Sequence, residues 1–387
     1  MASKDHPLAR LREAREGRSL SLEELAGKLG VQRQVVYKYE HGRVKPSPLA
    51  VARFCAALNV PVDFFSRSAP EPEPSPVFFR HFRSKTNKKQ LAAVTRQLAW
   101  VRDFVTVLEQ YVVLPEVSIP DFHPPSDPRQ ITETEIEDSA TALRGHWGFR
   151  DGVIRDVVKL VENNGCIVVA ELVKANAIDA FSLWSKRGRP IVVVGCREVS
   201  GVHRRFDVAH ELGHLLMHRN IDKRFLQLNP DTHKLVEDQA FRFARAFLMP
   251  AASFRKSLTY VSLDSLLLLK QHWHLSVGAM LKRAVDLEMI DASAESGFWA
   301  KRNRRKWRDS EPFDDMIPPE EPRLLGNAIR ALKADDPENL NALCDEVGLQ
   351  GADVARYCGL EEEEVRPGVV DDVELTLKLG DGSRASR

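Results

Sequence analysis

Two short stretches hold nine prolines and divide this 387-residue chain before any other pattern is read. Residues 67–77, RSAPEPEPSPV, alternate four prolines with acids and serines, and residues 114–130, LPEVSIPDFHPPSDPRQ, carry five more. Proline fixes φ and lacks an N–H, so neither stretch can be a helix interior or a central strand. The first reads as an extended linker and the second as a further boundary. The expected organisation is a helical domain at 1–66, a proline-rich linker with a spacer helix at 67–129, a mixed domain at 130–292, and a basic segment with a small helical region at 293–387. A chain this long is expected to hold more than one core.

Hydrophobic residues make up 43% of the chain, enough for true cores, and the net charge of +1 means that any nucleic-acid footprint must be local. Cys55, Cys166, Cys196, Cys344 and Cys358 are scattered and form no Cys-x-x-Cys pair, which fits reduced thiols better than a disulfide framework. The opening MASKDHPLARLREAREG has no apolar run, and no segment offers the roughly 20 apolar residues of a membrane helix. A soluble, cytoplasmic protein without a membrane partner is expected.

Residues 7–66 read as short helices. SLEELAGKLG opens on Ser21 with Glu24 three residues later, as in a capping box, and stops at Gly30. VQRQVVYKYEHG follows at once, and SPLAVARFCAALNVPVDFF closes the module. Two helices joined at a glycine, the second rich in Gln, Arg, Tyr and Lys, suit a helix-turn-helix whose second helix lies in the major groove of operator DNA. Gln32, Arg33, Gln34, Tyr37 and Lys38 are the candidate DNA contacts, since Gln can pair with adenine and Arg with guanine. Val35, Val36 and Tyr39 would face inward. A plain helical bundle with a polar surface is the competing reading. The stretch SLEELAGKLGVQRQVVYKYEHGRVKPS, with Glu40, Gly42 and the closing LNVPVDFF, resembles the XRE (Cro/repressor-type) helix-turn-helix family over residues 7–66.

RRFDVAHELGHLLMH, residues 204–218, contains His-Glu-x-x-His. On a helix His210 and His214 share a face and can turn ring nitrogens to one metal, with Glu211 beside them facing a water. Two incidental histidines would give the same string. Leu212, Leu215 and Leu216 form an apolar stripe, so the helix is expected to be half buried, and Gly213 lets another element approach. His-x-x-Gly-x-x-His fails, because Met217 and Asn220 stand where a glycine and a histidine would be required. The third ligand must then come from elsewhere. Glu237 shares a helical face with Ala240, Phe241, Ala244 and Phe247, an expensive place for a carboxylate unless it is paired or bound. Asp238 shares its face with Arg242 and Arg245 and reads as solvated.

RRFDVAHELGHLLMH, the following Glu-x-x-Ala, Phe-Ala and FLMP, with LRGHWG, AFSLW, RPIVVV and LKQHWHLS, resemble the ImmA/IrrE family of zincin-like metallopeptidases over residues 130–290. The resemblance implies Zn2+ on His210, His214 and Glu237, with Glu211 as the general base of a gluzincin-like endopeptidase. Its substrate would be a protein, such as a helix-turn-helix repressor or the chain's own reader. Phe241 departs from the Asn or Asp expected after the alanine, which puts a hydrogen bond behind the ligands in doubt.

The resulting expectation is an α+β, mostly helical fold: an all-α helix-turn-helix domain, a zincin-like domain with a small β-sheet, and a helical tail. The function is that of a DNA-binding transcriptional regulator with a zinc endopeptidase domain. The alternative is a non-catalytic regulator, or an antitoxin or immunity regulator, that uses the same domain as a sensor or partner-binding module. Analogy with repressors allows a homodimer. His218 is read as a structural neighbour of the site, His203, Arg204 and Arg205 as a solvated basic loop, and Trp184 and Trp273 as core. The helix pair around His274–Ser276 has helix-turn-helix spacing but an apolar second helix, so a packing role is expected. KRNRRKWR at 301–308 reads as a solvated basic run rather than a phosphate-binding patch.

Overall fold

Two apolar cores meet on opposite faces of one small sheet. In the computed structural model the described residues are 8, 10–67, 78–79, 88–170, 172, 180–195, 200–222 and 230–365. The linker stretch beyond Arg67, Cys196 and the tail after residue 365 lie outside them.

The N-terminal helices are α1 (Leu11–Gly17), α2 (Leu22–Leu29), α3 (Arg33–Glu40) and α4 (Pro48–Leu58), closed by a 3-10 turn at Val62–Phe65. Their ends follow from local chemistry. Ser21 and Glu24 form the full capping box of α2, Gly30 ends it in the left-handed region (φ 64°), and Ser47 caps α4 ahead of Pro48.

The sheet orders its strands β1 (Phe78–Phe79), β3 (Ala180–Trp184), β4 (Pro190–Val194) and β2 (Ile167–Ala170). β2 runs parallel to β4, while β3 is antiparallel to both β4 and β1. Side chains alternate between the faces. Ile167, Val169, Phe181, Leu183, Ile191 and Val193 join a core with the N-terminal module, α5 (Lys88–Tyr111) and the C-terminal helices. Val168, Ala180, Val192 and Val194 join a second core with α6 (Glu133–His146), α7 (Val157–Asn163), α8 (Gly201–Met217), α9 (Pro230–Leu248), α10 (Ala251–Ser257), α11 (Leu263–Trp273) and α12 (Val277–Asp286). Both faces being covered explains why β2 and β4 read as unbroken apolar runs. β3 is missed by that signature, because Ser182 interrupts its apolar run.

The helix expected as a spacer, α5, runs through the first core. Trp100 lies flat on the end of α1, where a Cβ on Gly17 would come within 2.5 Å of its ring, and Trp100 Nε1 donates to Glu13 at 2.7 Å. The His274–Ser276 turn joins α11 to α12, whose Val277, Met280, Leu281 and Ala284 are fully buried, in line with packing.

After α13 (Ala292–Arg304), an acidic segment ties the second core to the C-terminal helices α14 (Leu324–Asp335), α15 (Pro337–Val347), α16 (Gly351–Cys358) and α17 (Glu362–Val365). Glu311 receives Lys270, Arg302 and the first N–H groups of α12, and Glu320 receives the first N–H groups of α7. In return Glu162, on α7, accepts from the backbone of Arg323 and Leu324 at 3.1 Å, capping α14 from outside. Burial pushes the Glu162 carboxyl up to about 7, against the pull of those N–H groups. A carboxyl raised on folding adds stability that is whole below about pH 4.5 and lost as pH rises through about 7. Relative to Glu162→Gln, the native chain is therefore expected to lose up to about 3 kcal/mol between pH 4.5 and 8, read as a falling difference in melting temperature. A difference that stays constant across that range would contradict the assignment.

Candidate metal centre and DNA-reading helix

α8 is more deeply buried than the half-buried helix expected from its leucine stripe: His210 and Glu211 are 0% exposed and His214 is 1%. What approaches Gly213 is α9, whose Ala240 Cα would stand 3.3 Å from a Cβ placed there, with Phe243 closer still. That close crossing sets Glu237 opposite the histidine pair. His214 Nε2 lies 3.0 Å from His210 Nε2. Glu237 Oε2 is 3.4 Å from His210 Nε2, and Glu237 Oε1 is 3.5 Å from His214 Nε2. Ligand bonds of about 2.0–2.1 Å in a tetrahedral site give donor–donor edges of about 3.3–3.4 Å, so these three side chains fit one zinc ion. Burial raises the Glu237 carboxyl, but the two imidazoles outweigh it and hold the group well below the ordinary carboxylate range.

Glu211 also comes within 4.8 Å of both imidazole donors and could be taken for a ligand. Ser182 Oγ lies 2.8 Å from Glu211 Oε2 and 3.2 Å from the Glu211 carbonyl, and the nearer, charged oxygen is the stronger acceptor for its single proton. Ser182 is on β3, packed against α8, so the hydrogen bond holds one carboxylate oxygen of Glu211 in place.

Behind His214 a chain of contacts sets the ring tautomers. Gln239 Nε2 donates to the carbonyls of Pro128 at 2.8 Å and Ile131 at 3.2 Å, which can only accept, so Gln239 Oε1 must face His218 Nε2 at 3.1 Å. His218 Nε2 therefore carries the proton, and its Nδ1 accepts from His214 Nδ1 at 2.9 Å. That leaves the His214 Nε2 lone pair directed at the site. His218 is fully buried, and burial followed by the neighbouring His214 keeps it well below the usual imidazole range and hence neutral. Gln239→Leu is expected to weaken zinc binding about 10–100-fold, the range for losing a partner behind a ligand, in a chelator competition assay. Unchanged affinity would remove Gln239 from this role.

Phe241 sets its ring 4.5 Å from the His210 ring, with Phe206 stacked beyond it at 6.0 Å. An aromatic face thus stands where the resemblance implied a polar partner. Asp238 is exposed, as expected. Trp273 is buried, and half-buried Trp184 donates to the Leu215 carbonyl at 2.9 Å. The reading of 203–205 as a solvated loop needs correction. These residues form the first turns of α8, and Arg204 and Arg205 are buried with ion pairs to Glu321 at 3.2 Å and Glu320 at 2.8 Å. In 301–308, Arg305 pairs with exposed Asp264 and Arg302 with Glu311, while Lys301, Arg304, Lys306 and Arg308 are exposed.

In α3 and at its N-cap, Gln32, Arg33, Gln34, Tyr37 and Lys38 are all exposed, while Val36 is fully buried and Val35 and Tyr39 are half-buried. Tyr37 stacks on His41 at 3.9 Å, with the Arg43 guanidinium 5.4 Å from its ring. Glu40 receives Arg15 at 2.6 and 3.1 Å, fastening α3 to α1. Sequence reasoning missed Ser182, Gln239 and the Arg205–Glu320 pair. The one available signal was a lone polar residue inside an otherwise apolar strand or helix face.

A two-helix reader joined to a buried His-Glu-x-x-His centre defines a DNA-binding regulator that carries a metallopeptidase-like domain. The family model described as Helix-turn-helix matches residues 11–65, and that described as the IrrE N-terminal-like domain matches residues 161–285. The chain is a fusion of an XRE-type helix-turn-helix domain with an ImmA/IrrE-like domain. Comparison with curated proteins finds no match. Among the described residues no helix is long and apolar enough to cross a membrane.

Proposed function

We propose that this chain is a transcriptional regulator whose ImmA/IrrE-like domain is a zinc-dependent endopeptidase acting on a regulatory protein. The convergence of His210, His214 and Glu237 within 3.0–3.5 Å of one another carries the reading. Zinc held there would supply a Lewis acid and lower the pKa of water towards about 7. Glu211, oriented by Ser182, would take the proton from the attacking water and pass it to the leaving amine. Gln32, Arg33, Gln34, Tyr37 and Lys38 would read the operator.

A repressor with the same kind of reader is one proposed substrate. The chain's own linker is the other, favoured by β1: Phe78 pairs with Ser182, the residue that holds Glu211, so a segment adjoining the proline-rich stretch lies along the strand bordering the site. Extended peptides bind enzymes and adaptors by adding to such a sheet edge. Incubation of the purified full chain, alone and with a helix-turn-helix repressor, followed by mass spectrometry, separates the two. Metal-dependent fragments are expected, and their sequence assigns the substrate. A zinc-loaded chain that cuts neither itself nor any repressor offered would favour the non-catalytic sensor.

A further inference from the structure

The C-terminal helices contain a close structural echo of the N-terminal reader. Pairing Gly30 with Gly348 brings Leu22 onto Leu340, Leu25 onto Leu343, Gln32 onto Gln350, Val36 onto Val354 and Tyr39 onto Tyr357. The turns superpose in dihedral space. Gly30 has φ 64° and ψ 35° and Gly348 has φ 69° and ψ 36°; N-cap Gln32 has −75° and 148°, and Gln350 has −76° and 150°. Leu343 and Val354 are fully buried, as are Leu25 and Val36. Three of the five reading positions, however, have been emptied: Arg33 aligns with Gly351, Gln34 with Ala352 and Tyr37 with Ala355, while Gln32 keeps its counterpart in Gln350 and Lys38 aligns with Arg356, whose guanidinium is engaged by Gln97 and Asp353.

We infer that residues 336–359 are a second helix-turn-helix unit that has lost base reading and serves as the internal docking partner of the chain's own N-terminal reader. Its second helix, α16, faces inward, with Ala355 and Tyr357 at most 3% exposed. Asp353 on that helix takes both terminal nitrogens of Arg18, at 2.5 and 2.6 Å, just past the end of α1. Gln97 on α5 bridges the two units: its Nε2 donates to the Gly17 carbonyl at 2.7 Å, while its Oε1 accepts from Arg356 at 3.0 Å and from the Tyr357 hydroxyl. Arg67 donates to the carbonyls of Asp345 and Glu346 at the end of α15. Because α16 also packs on β2, the docking fixes the reader against the sheet that supports Ser182, and the DNA-facing residues of α3 stay exposed.

Hydrogen exchange on the full chain tests the docking. Asp353→Ala and Arg18→Gln should each speed amide exchange in α1–α3 by about tenfold or more, leaving α8 and α9 unchanged, and the swapped pair Arg18→Asp with Asp353→Arg should recover part of the protection. If α1–α3 exchange is unmoved in both single variants, the docking role is overturned. Operator selection from a random DNA pool tests the lost reading: Gln350→Ala, at the one polar reading position outside the docking contacts, should return the native base preference. A changed preference would mean that the second unit reads DNA, and would overturn the inference. Arg33→Ala, in the same selection, checks the N-terminal reader separately, and its failure would leave the docking result standing.

Discussion

Glu211→Gln is expected to keep its zinc and to cut peptide-bond cleavage by about 10²–10⁴-fold, the usual contribution of a general base. The substitution is nearly isosteric in a fully buried position, and the amide oxygen can still accept the Ser182 hydroxyl that now lies 2.8 Å from the carboxylate. What the amide cannot do is take a proton from the attacking water. Cleavage rates of the native chain and the variant, compared at equal zinc content, check this. Equal rates would exclude Glu211 from proton transfer, and loss of zinc would move it into the ligand set.

Glu237→Ala is expected to lower zinc affinity by more than the roughly 10–100-fold that follows loss of a partner behind a ligand. It removes one of three converging donors and the negative charge that offsets the cation between two neutral imidazoles. Asp238→Ala, one residue away but exposed, is the control and should bind zinc as the native chain does. Chelator competition measures both. Native-like affinity in Glu237→Ala would place the third donor elsewhere.

Much of the centre is legible in the sequence because helix geometry is local. The i, i+4 spacing places His210 and His214 together, and a carboxylate among Ala240, Phe241 and Ala244 marks Glu237. The capping box at Ser21 and the left-handed Gly30 equally announce the reader. What escapes is set by tertiary approach. Nothing in AFSLW says that Ser182 will sit beneath Glu211, and nothing in Gln239 reveals that the Pro128 and Ile131 carbonyls will fix its amide. Arg204 and Arg205 look like a basic loop until Glu320 and Glu321, more than a hundred residues later, arrive beside them. α5 reads as a spacer because its amphipathic pattern does not name the partner, which is Gly17 of α1 on one side and α15 on the other. The second helix-turn-helix was hidden for a related reason: with Gly351, Ala352 and Ala355 where the reader has Arg33, Gln34 and Tyr37, residues 336–359 look like an ordinary helix pair.

Elemental analysis of the purified full-length chain bears most directly on the central claim. One zinc per chain is predicted for the native protein, retained in Glu211→Gln and lost in Glu237→Ala. A native chain that takes up no stoichiometric zinc, even when refilled with the metal after chelation, would contradict the account.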